Sequence, residues 1–152
     1  MAKPPGVGDL APDVTLTSTR GELTLSELAA HAPVLLVFYP GDDTPVCTRQ
    51  LCNYRDSLDV FDKLGVQVVA LNPQSLESHT RFAEKHELPF PVASDASGAV
   101  CRAYGAAGIL GTTKRALVLV GSDRRVRWRR TDFPIFYETA DEIRAAVAAL
   151  SL

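Results

Sequence analysis

Val34-Leu35-Leu36-Val37-Phe38-Tyr39-Pro40-Gly41-Asp42-Asp43-Thr44-Pro45-Val46-Cys47 holds the strand-to-helix turn on which the fold depends. Its first six residues are apolar without interruption and stop at Pro40-Gly41, as expected of a strand buried on both faces of a sheet. Thr44-Pro45 then marks a helix start, with Thr as N-cap and Pro at the first helical position. Leu51, Tyr54, Leu58, Phe61 and Leu64 follow at spacings of three and four. That spacing predicts one helix with one buried face, ended by Gly65.

Working outward, residues 66–71 read as a second central strand and residues 75–87 as a second helix, broken by Leu88-Pro89-Phe90-Pro91. A short strand at Val92-Ala93, a turn at residues 95–98 and a short helix at residues 99–104 come next. Residues 116–120 form a third clear strand. Residues 125–129 alternate like a half-exposed strand and should pair with it as a hairpin across Ser122-Asp123. Upstream, residues 24–30 read as a short helix with Leu25 and Leu28 on one side, and an Ala-rich amphipathic helix spans residues 139–150. This order of elements predicts an α/β domain with a central sheet covered by helices. No linker, repeat or low-complexity tract divides the chain, so residues 1–152 are expected to form one domain.

Composition narrows the function classes. With 152 residues, 46% apolar and 22% charged, the chain has the composition of a globular domain rather than a disordered or fibrous one. Sixteen Lys and Arg against eighteen Asp and Glu give a net charge of −2, which argues against a footprint for nucleic acid or an anionic membrane. Three cysteines are too few, and odd in number, for a secreted disulfide framework. Met1-Ala2-Lys3-Pro4-Pro5-Gly6 lacks an apolar signal core, and no run approaches the ~20 apolar residues of a membrane span. A soluble, cytoplasmic protein is expected.

Cys47 falls in the first turn of the predicted helix, where unpaired backbone N–H groups and the helix dipole favour negative charge and hence a reactive thiolate. The alternative is a small buried hydrophobe, the usual state of a free cysteine. Three neighbours favour reactivity: the turn lies at the carboxyl end of a central strand, where α/β sheets place ligands; Thr44 offers a hydroxyl; and Cys52 follows five positions on. In an intact helix residues five apart have Cα atoms ~8.6 Å from each other. A disulfide needs roughly 4.4–6.8 Å. A bridge between Cys47 and Cys52 therefore requires the first turn or two to unwind.

Residues 38–48 resemble the active-site segment of the peroxiredoxins, with the Pro-x-x-x-Thr-x-x-Cys pattern at Pro40, Thr44 and Cys47. Asp42-Asp43-Thr44-Pro45 and a second cysteine five positions on resemble the bacterioferritin comigratory protein (peroxiredoxin Q) branch. Ser94-Asp95 to Gly98 and Ala103-Tyr104-Gly105 are also similar to family segments. The resemblance implies a thioredoxin-like fold, with a central mixed β-sheet flanked by helices. It implies an atypical two-cysteine, thiol-dependent peroxidase that reduces hydrogen peroxide and organic hydroperoxides without metal or organic cofactor. Cys47 would be the peroxidatic cysteine and Cys52 the resolving one, the resulting disulfide being reduced by a thioredoxin-like dithiol.

By the same resemblance Arg115 matches the family's active-site arginine; in the peroxide reaction the Thr44 hydroxyl is expected to join Arg115 as a donor to the breaking O–O bond, and Pro40 to shield the site. Gln50 stands where this branch often has Glu; its amide would orient Arg115 or Arg49 without a formal charge. A monomer or weak homodimer is expected.

Other features are set aside. Cys101 could resolve in place of Cys52, but a buried core cysteine is the favoured reading. His31, His79 and His86 are scattered in sequence, and Cys47-x4-Cys52 is weak evidence for zinc. No C-x-x-C pair supports a thioredoxin-type oxidoreductase. Five arginines between Arg124 and Arg130 fit a strand with a solvated face better than a nucleic-acid site. Residues 133–137 form an aromatic loop, read either as packing on the sheet or as an apolar collar for a substrate, partner or second subunit. The competing function is a redox sensor or binding module that uses Cys47 as a switch without turnover.

Overall fold

In the computed structural model, which describes residues 3–132 and 136–150, the chain starts with an antiparallel hairpin of β1 (Thr15–Ser18) and β2 (Gly21–Thr24). Helix α1 (Leu25–His31) and strand β3 (Val34–Phe38) follow, then helices α2 (Pro45–Asp56) and α3 (Leu58–Leu64). Strand β4 (Gln67–Asn72), helix α4 (Leu76–His86), strand β5 (Val92–Ser94) and helix α5 (Ala99–Ala103) come next. A 3-10 turn (Ile109–Gly111), strands β6 (Arg115–Val120) and β7 (Val126–Asp132) and helix α6 (Ala140–Ala148) complete the described elements.

The described strands join one seven-stranded mixed sheet in the order β2-β1-β5-β4-β3-β6-β7. β3 runs parallel to β4 and antiparallel to β6. Every residue of β3 is buried, as its unbroken apolar run predicts, because both faces of the sheet are covered. Leu35 and Val37 face a core shared with Leu51, Tyr54 and Phe61 of α2 and α3, Phe82 of α4, and Ile143 and Val147 of α6. Leu36 and Phe38 face the opposite core with Leu25 and Ala29 of α1 and Val100, Cys101 and Tyr104 around α5. Alternation along one extended strand thus builds two cores.

Two expectations are corrected. The single helix expected from Thr44 to Gly65 is two helices: Ser57, at φ −114 and ψ 27, interrupts it. Asp56-Ser57 supplies the break, since both side chains compete with the helical backbone for hydrogen bonds. Apolar spacing persists across the joint, with Tyr54 and Phe61 in an edge contact at 5.6 Å, so periodicity alone did not reveal it. Gly65 does end the second helix, in the left-handed conformation at φ 69. The β1–β2 hairpin was not expected; its signal is the brief alternation Thr15-Leu16-Thr17 before Gly21, whose φ of 92 makes the turn.

Elsewhere the expected elements stand within one or two residues of their predicted ends, except that β7 runs three residues past the expected end, to Asp132. Ser75 caps α4 by accepting from the Ser78 amide, and Thr139 with Glu142 forms a capping box at the start of α6.

Candidate active site

The site begins where β3 ends. Tyr39 is buried, and the chain turns at Pro40-Gly41 beneath Gln74, whose Oε1 accepts the Asp42 backbone N–H at 2.6 Å. A side-chain carbon at position 41 would approach that oxygen to 3.3 Å, so glycine suits the close pass. Asp43 adopts a left-handed φ of 59. Thr44 is extended and Pro45 opens α2, as the sequence predicts.

Thr44 is the N-cap by position, yet its hydroxyl does not cap the helix. It donates instead to the Gly41 carbonyl at 3.0 Å. With the hydroxyl hydrogen committed there, Thr44 is not the donor expected from the sequence, and its oxygen lone pairs remain available as acceptors. Amides of the first turn are thereby spared a side-chain partner next to Cys47.

Cys47 is 1% exposed, on the inner face of α2. Arg115, the first residue of β6, is itself 2% exposed and points Nη2 at the Cys47 sulfur, 3.2 Å away. A buried guanidinium keeps its charge and carries several fixed donors, so it stabilises negative charge on that sulfur. Arg115 Nη1 donates to Gln50 Oε1. Gln50 Nε2 donates to the Tyr54 hydroxyl at 3.0 Å, and that hydroxyl donates to the Glu138 carbonyl at 2.7 Å. Gln50 therefore orients Arg115 and not Arg49, which lies exposed. Burial pushes the Tyr54 hydroxyl well above its ordinary range, keeping it a neutral donor.

A second polar cluster holds the turn. The Asp42 carboxylate accepts from Tyr39 OH at 2.5 Å, Ser78 Oγ at 2.7 Å and His79 Nδ1 at 2.7 Å. Burial alone would raise its pKa, but hydrogen bonds from His79, Tyr39 and Ser78 outweigh that and hold it below the usual carboxylate value. An ionised carboxylate requires Nδ1 to carry the imidazole hydrogen. Burial also raises the Tyr39 hydroxyl well above its ordinary value, and the charge of Asp42 adds to this.

Asp43 pairs with Lys85 Nζ and His86 Nε2, each at 3.1 Å. Two of the three histidines set aside from the sequence therefore stand beside the site. No local pattern announces them, because 37 residues separate Asp42 from His79 and 43 separate Asp43 from His86.

Cys52 is half-buried on the same helix as Cys47, and both thiols are free. Cys101 lies in the core on the other face of the sheet, with its sulfur 4.0 Å from Thr113 Oγ1. Burial, reinforced by Asp95, pushes its thiol up to about 12, in keeping with an inert core cysteine.

The arginine run also finds structural partners. Arg124 and Arg125 donate to the carbonyls of Ala11 and Gly8, and Arg129 donates to those of Pro5 and Tyr104. The bonds to Pro5, Gly8 and Ala11 tie the N-terminal segment to β7 and the turn before it. In the aromatic loop, Phe136 is exposed and Tyr137 half-buried, while residues 133–135 lie outside the described residues.

Residues 7–129 match the AhpC/TSA family. A bcp-type peroxiredoxin of Coxiella burnetii is 39% identical over 99 residues, covering 65% of this chain and 66% of that protein. The chloroplastic peroxiredoxin Q of Sedum lineare is 41% identical over 99 residues, covering 64% and 53%. The match thus spans between about half and two thirds of these curated relatives. Among solved structures, peroxidoxin BcpB of Mycobacterium tuberculosis superposes with a TM-score of 0.87 at 29% identity, over 97% of this chain and 99% of that one. Xanthomonas campestris peroxiredoxin Q gives a TM-score of 0.80 at 27% identity, over 90% of each.

Proposed function

The chain belongs to the AhpC/TSA family, within the peroxiredoxins and alongside the peroxiredoxin Q branch, and from that premise we propose that it is a thiol-dependent peroxidase acting on hydrogen peroxide and organic hydroperoxides. The observation that carries the proposal is the 3.2 Å approach of Arg115 Nη2 to the Cys47 sulfur at the head of α2. A cysteine sulfur, a fixed cation and the open amides of a first helical turn meet at one place, as a reaction that builds charge on a breaking O–O bond requires.

In this reading the Cys47 thiolate attacks one peroxide oxygen. The S–O bond forms, the O–O bond breaks, and the second oxygen leaves with its electron pair, taking a proton to become water or alcohol. Arg115 stabilises the charge that develops, and Thr44 accepts the peroxide O–H because its own hydrogen is given to Gly41. Gln50 holds Arg115 in place, and Pro40 limits solvent access. The sulfenic acid then condenses with the Cys52 thiol, releasing water and forming the disulfide. A thioredoxin-like dithiol reduces that bond by exchange. Each of these steps uses side chains of this chain and one external dithiol, with no metal or organic cofactor.

We assign Cys52 as the resolving thiol because Cys101 is buried beyond the sheet and held neutral, whereas Cys52 is on the same helix and half-buried. Three cysteines are too few, and odd in number, for a secreted disulfide framework, and we place the protein in the cytoplasm as a single-domain monomer or weak homodimer.

The test is to add one equivalent of hydrogen peroxide to the reduced protein and map its disulfides by mass spectrometry. The assay then continues with a recycling dithiol and further peroxide. A rapid Cys47–Cys52 bridge and steady consumption are expected. A Cys47–Cys101 bridge would overturn the choice of resolving thiol. An unreacted Cys47 would overturn the catalytic reading, and one oxidation without turnover would mark a redox sensor instead.

A further inference from the structure

Both ends of the segment that carries Cys47 and Cys52 rest on a single residue, His86, the last of α4. Ahead of the cysteines, the Asp43 carboxylate accepts from His86 Nε2 and Lys85 Nζ, each at 3.1 Å. Asp43 holds a left-handed φ of 59 there, a conformation that costs a non-glycine residue energy and persists where its surroundings enforce it. Behind the cysteines, Arg55 Nη1 donates to the His86 backbone carbonyl at 2.7 Å. His86 is itself seated edge-on against Phe82, centroids 5.1 Å apart, and Phe82 is buried in the core. Asn53 and Tyr54 reinforce the rear anchor: Asn53 Oδ1 accepts the Ala140 amide at 2.8 Å, and Tyr54 OH reaches the Glu138 carbonyl. Between the two anchors, Cys47 and Gln50 are held by Arg115.

We propose that His86 is a positioning residue of the redox cycle: by its imidazole and its carbonyl it fixes both ends of the 43–55 segment, so that α2 opens between them as a closed loop instead of fraying from one end. The proposal rests on the Cys47–Cys52 resolution step set out above. A loop with tied ends has fewer conformations than a free end, so the anchors make the open form rarer. The sulfenic acid then dwells longer beside Arg115. There it meets one of two fates: condensation with the Cys52 thiol, which releases water, or attack on a second hydrogen peroxide, which gives sulfinic acid and water. The two anchors set the ratio between these outcomes through the opening of α2, without a contact to Cys47.

Two variants weaken one end each. Asp43→Asn keeps a side chain tolerant of the left-handed backbone and removes the charge paired with His86 and Lys85. Arg55→Met keeps the apolar stem and removes the donor to the His86 carbonyl. Rapid-quench intact mass spectrometry reads the first oxidation, the disulfide step and the sulfinic fraction across a hydrogen peroxide titration. First oxidation should be unchanged, bridging should rise about 2- to 10-fold in each variant, as expected for losing a partly exposed ion pair or hydrogen bond, and the sulfinic fraction should fall in proportion. Because weakening either anchor already eases the opening of the same loop, the double variant should gain less than the product of the singles.

Unchanged bridging in both variants, a parallel fall in first oxidation, or fully multiplicative behaviour would overturn the proposal. If the unmodified protein forms no Cys47–Cys52 bridge, the resolution step falls and this proposal with it. If it bridges normally and the variants match it, only the role of His86 falls. Amide exchange on the unmodified, oxidised protein serves where a variant does not fold. Lost protection should be confined to residues 46–52, and loss extending through residues 55–57 would overturn the closed-loop opening.

Discussion

Arg115 Nη2 lies 3.2 Å from the Cys47 sulfur although 68 residues separate the two in sequence. The approach is created by sheet pairing. β6 lies antiparallel to β3, with Ala116 opposite Phe38, so the residue just before Ala116 emerges beside the turn that leads into α2. A cation delivered by the rigid centre of a sheet is already aimed before substrate arrives, which is the condition for stabilising a transition state cheaply.

Removing that cation should therefore cost rate more than binding. Arg115→Met is expected to slow oxidation of Cys47 by hydrogen peroxide about 10²- to 10³-fold, the usual effect of deleting one preorganised donor. Arg115→Lys should recover part of the loss, since an ammonium keeps the charge but not the fork that reaches both Cys47 and Gln50. Stopped-flow oxidation kinetics would check both, and an Arg115→Lys variant as fast as the unmodified protein would remove the fork from the explanation.

Gln50 is fully buried and bridges Arg115 to Tyr54. Gln50→Glu would place a carboxylate on the guanidinium and draw its charge away from the sulfur. The expected result is about a tenfold slower Cys47 oxidation with the fold intact, the order of one charge-assisted hydrogen bond redistributed. Peroxide kinetics beside a circular dichroism melt would separate the rate effect from any loss of stability.

Asp42 links acid stability to the turn. Its carboxyl is held below the usual value, so the folded state favours the ionised form. The associated stability is fully present above the unfolded value of ~3.9 and is lost as pH falls through the lower folded value. Asp42→Asn should lower stability by about 1–3 kcal/mol at pH 7 and flatten the acid limb below about pH 4. Urea melts across pH 2.5–7 would show it (a range set by ~3.9 and the downward shift), and an unchanged acid limb would assign that limb to other carboxylates.

Cys101 should be silent. With its thiol pushed up to about 12, almost none is ionised at neutral pH, so iodoacetamide should leave Cys101 unlabelled in the native protein and reach it only after unfolding. Peptide mapping after a short exposure would check this, and early labelling of Cys101 would reopen it as a resolving thiol.

The sequence alone determined what is local. The unbroken run from Val34 to Tyr39 specified a strand covered on both faces, and Thr44-Pro45 specified a helix start that puts Cys47 in the first turn. The five-residue offset to Cys52 specified that an intact helix keeps the two thiols apart. Propensity, periodicity and helix geometry act over a few residues, so they are legible without a fold. Tertiary structure decided everything that depends on which surfaces meet. It seated His79 and Ser78 on Asp42, brought His86 to both Asp43 and Arg55, and turned Thr44 from a capping side chain into a partner of Gly41. It also put Cys101 on the opposite face of the sheet from Cys47. These contacts are set by strand order and by how helices pack on each face, and no spacing in the chain encodes a neighbour that only the closed core brings near.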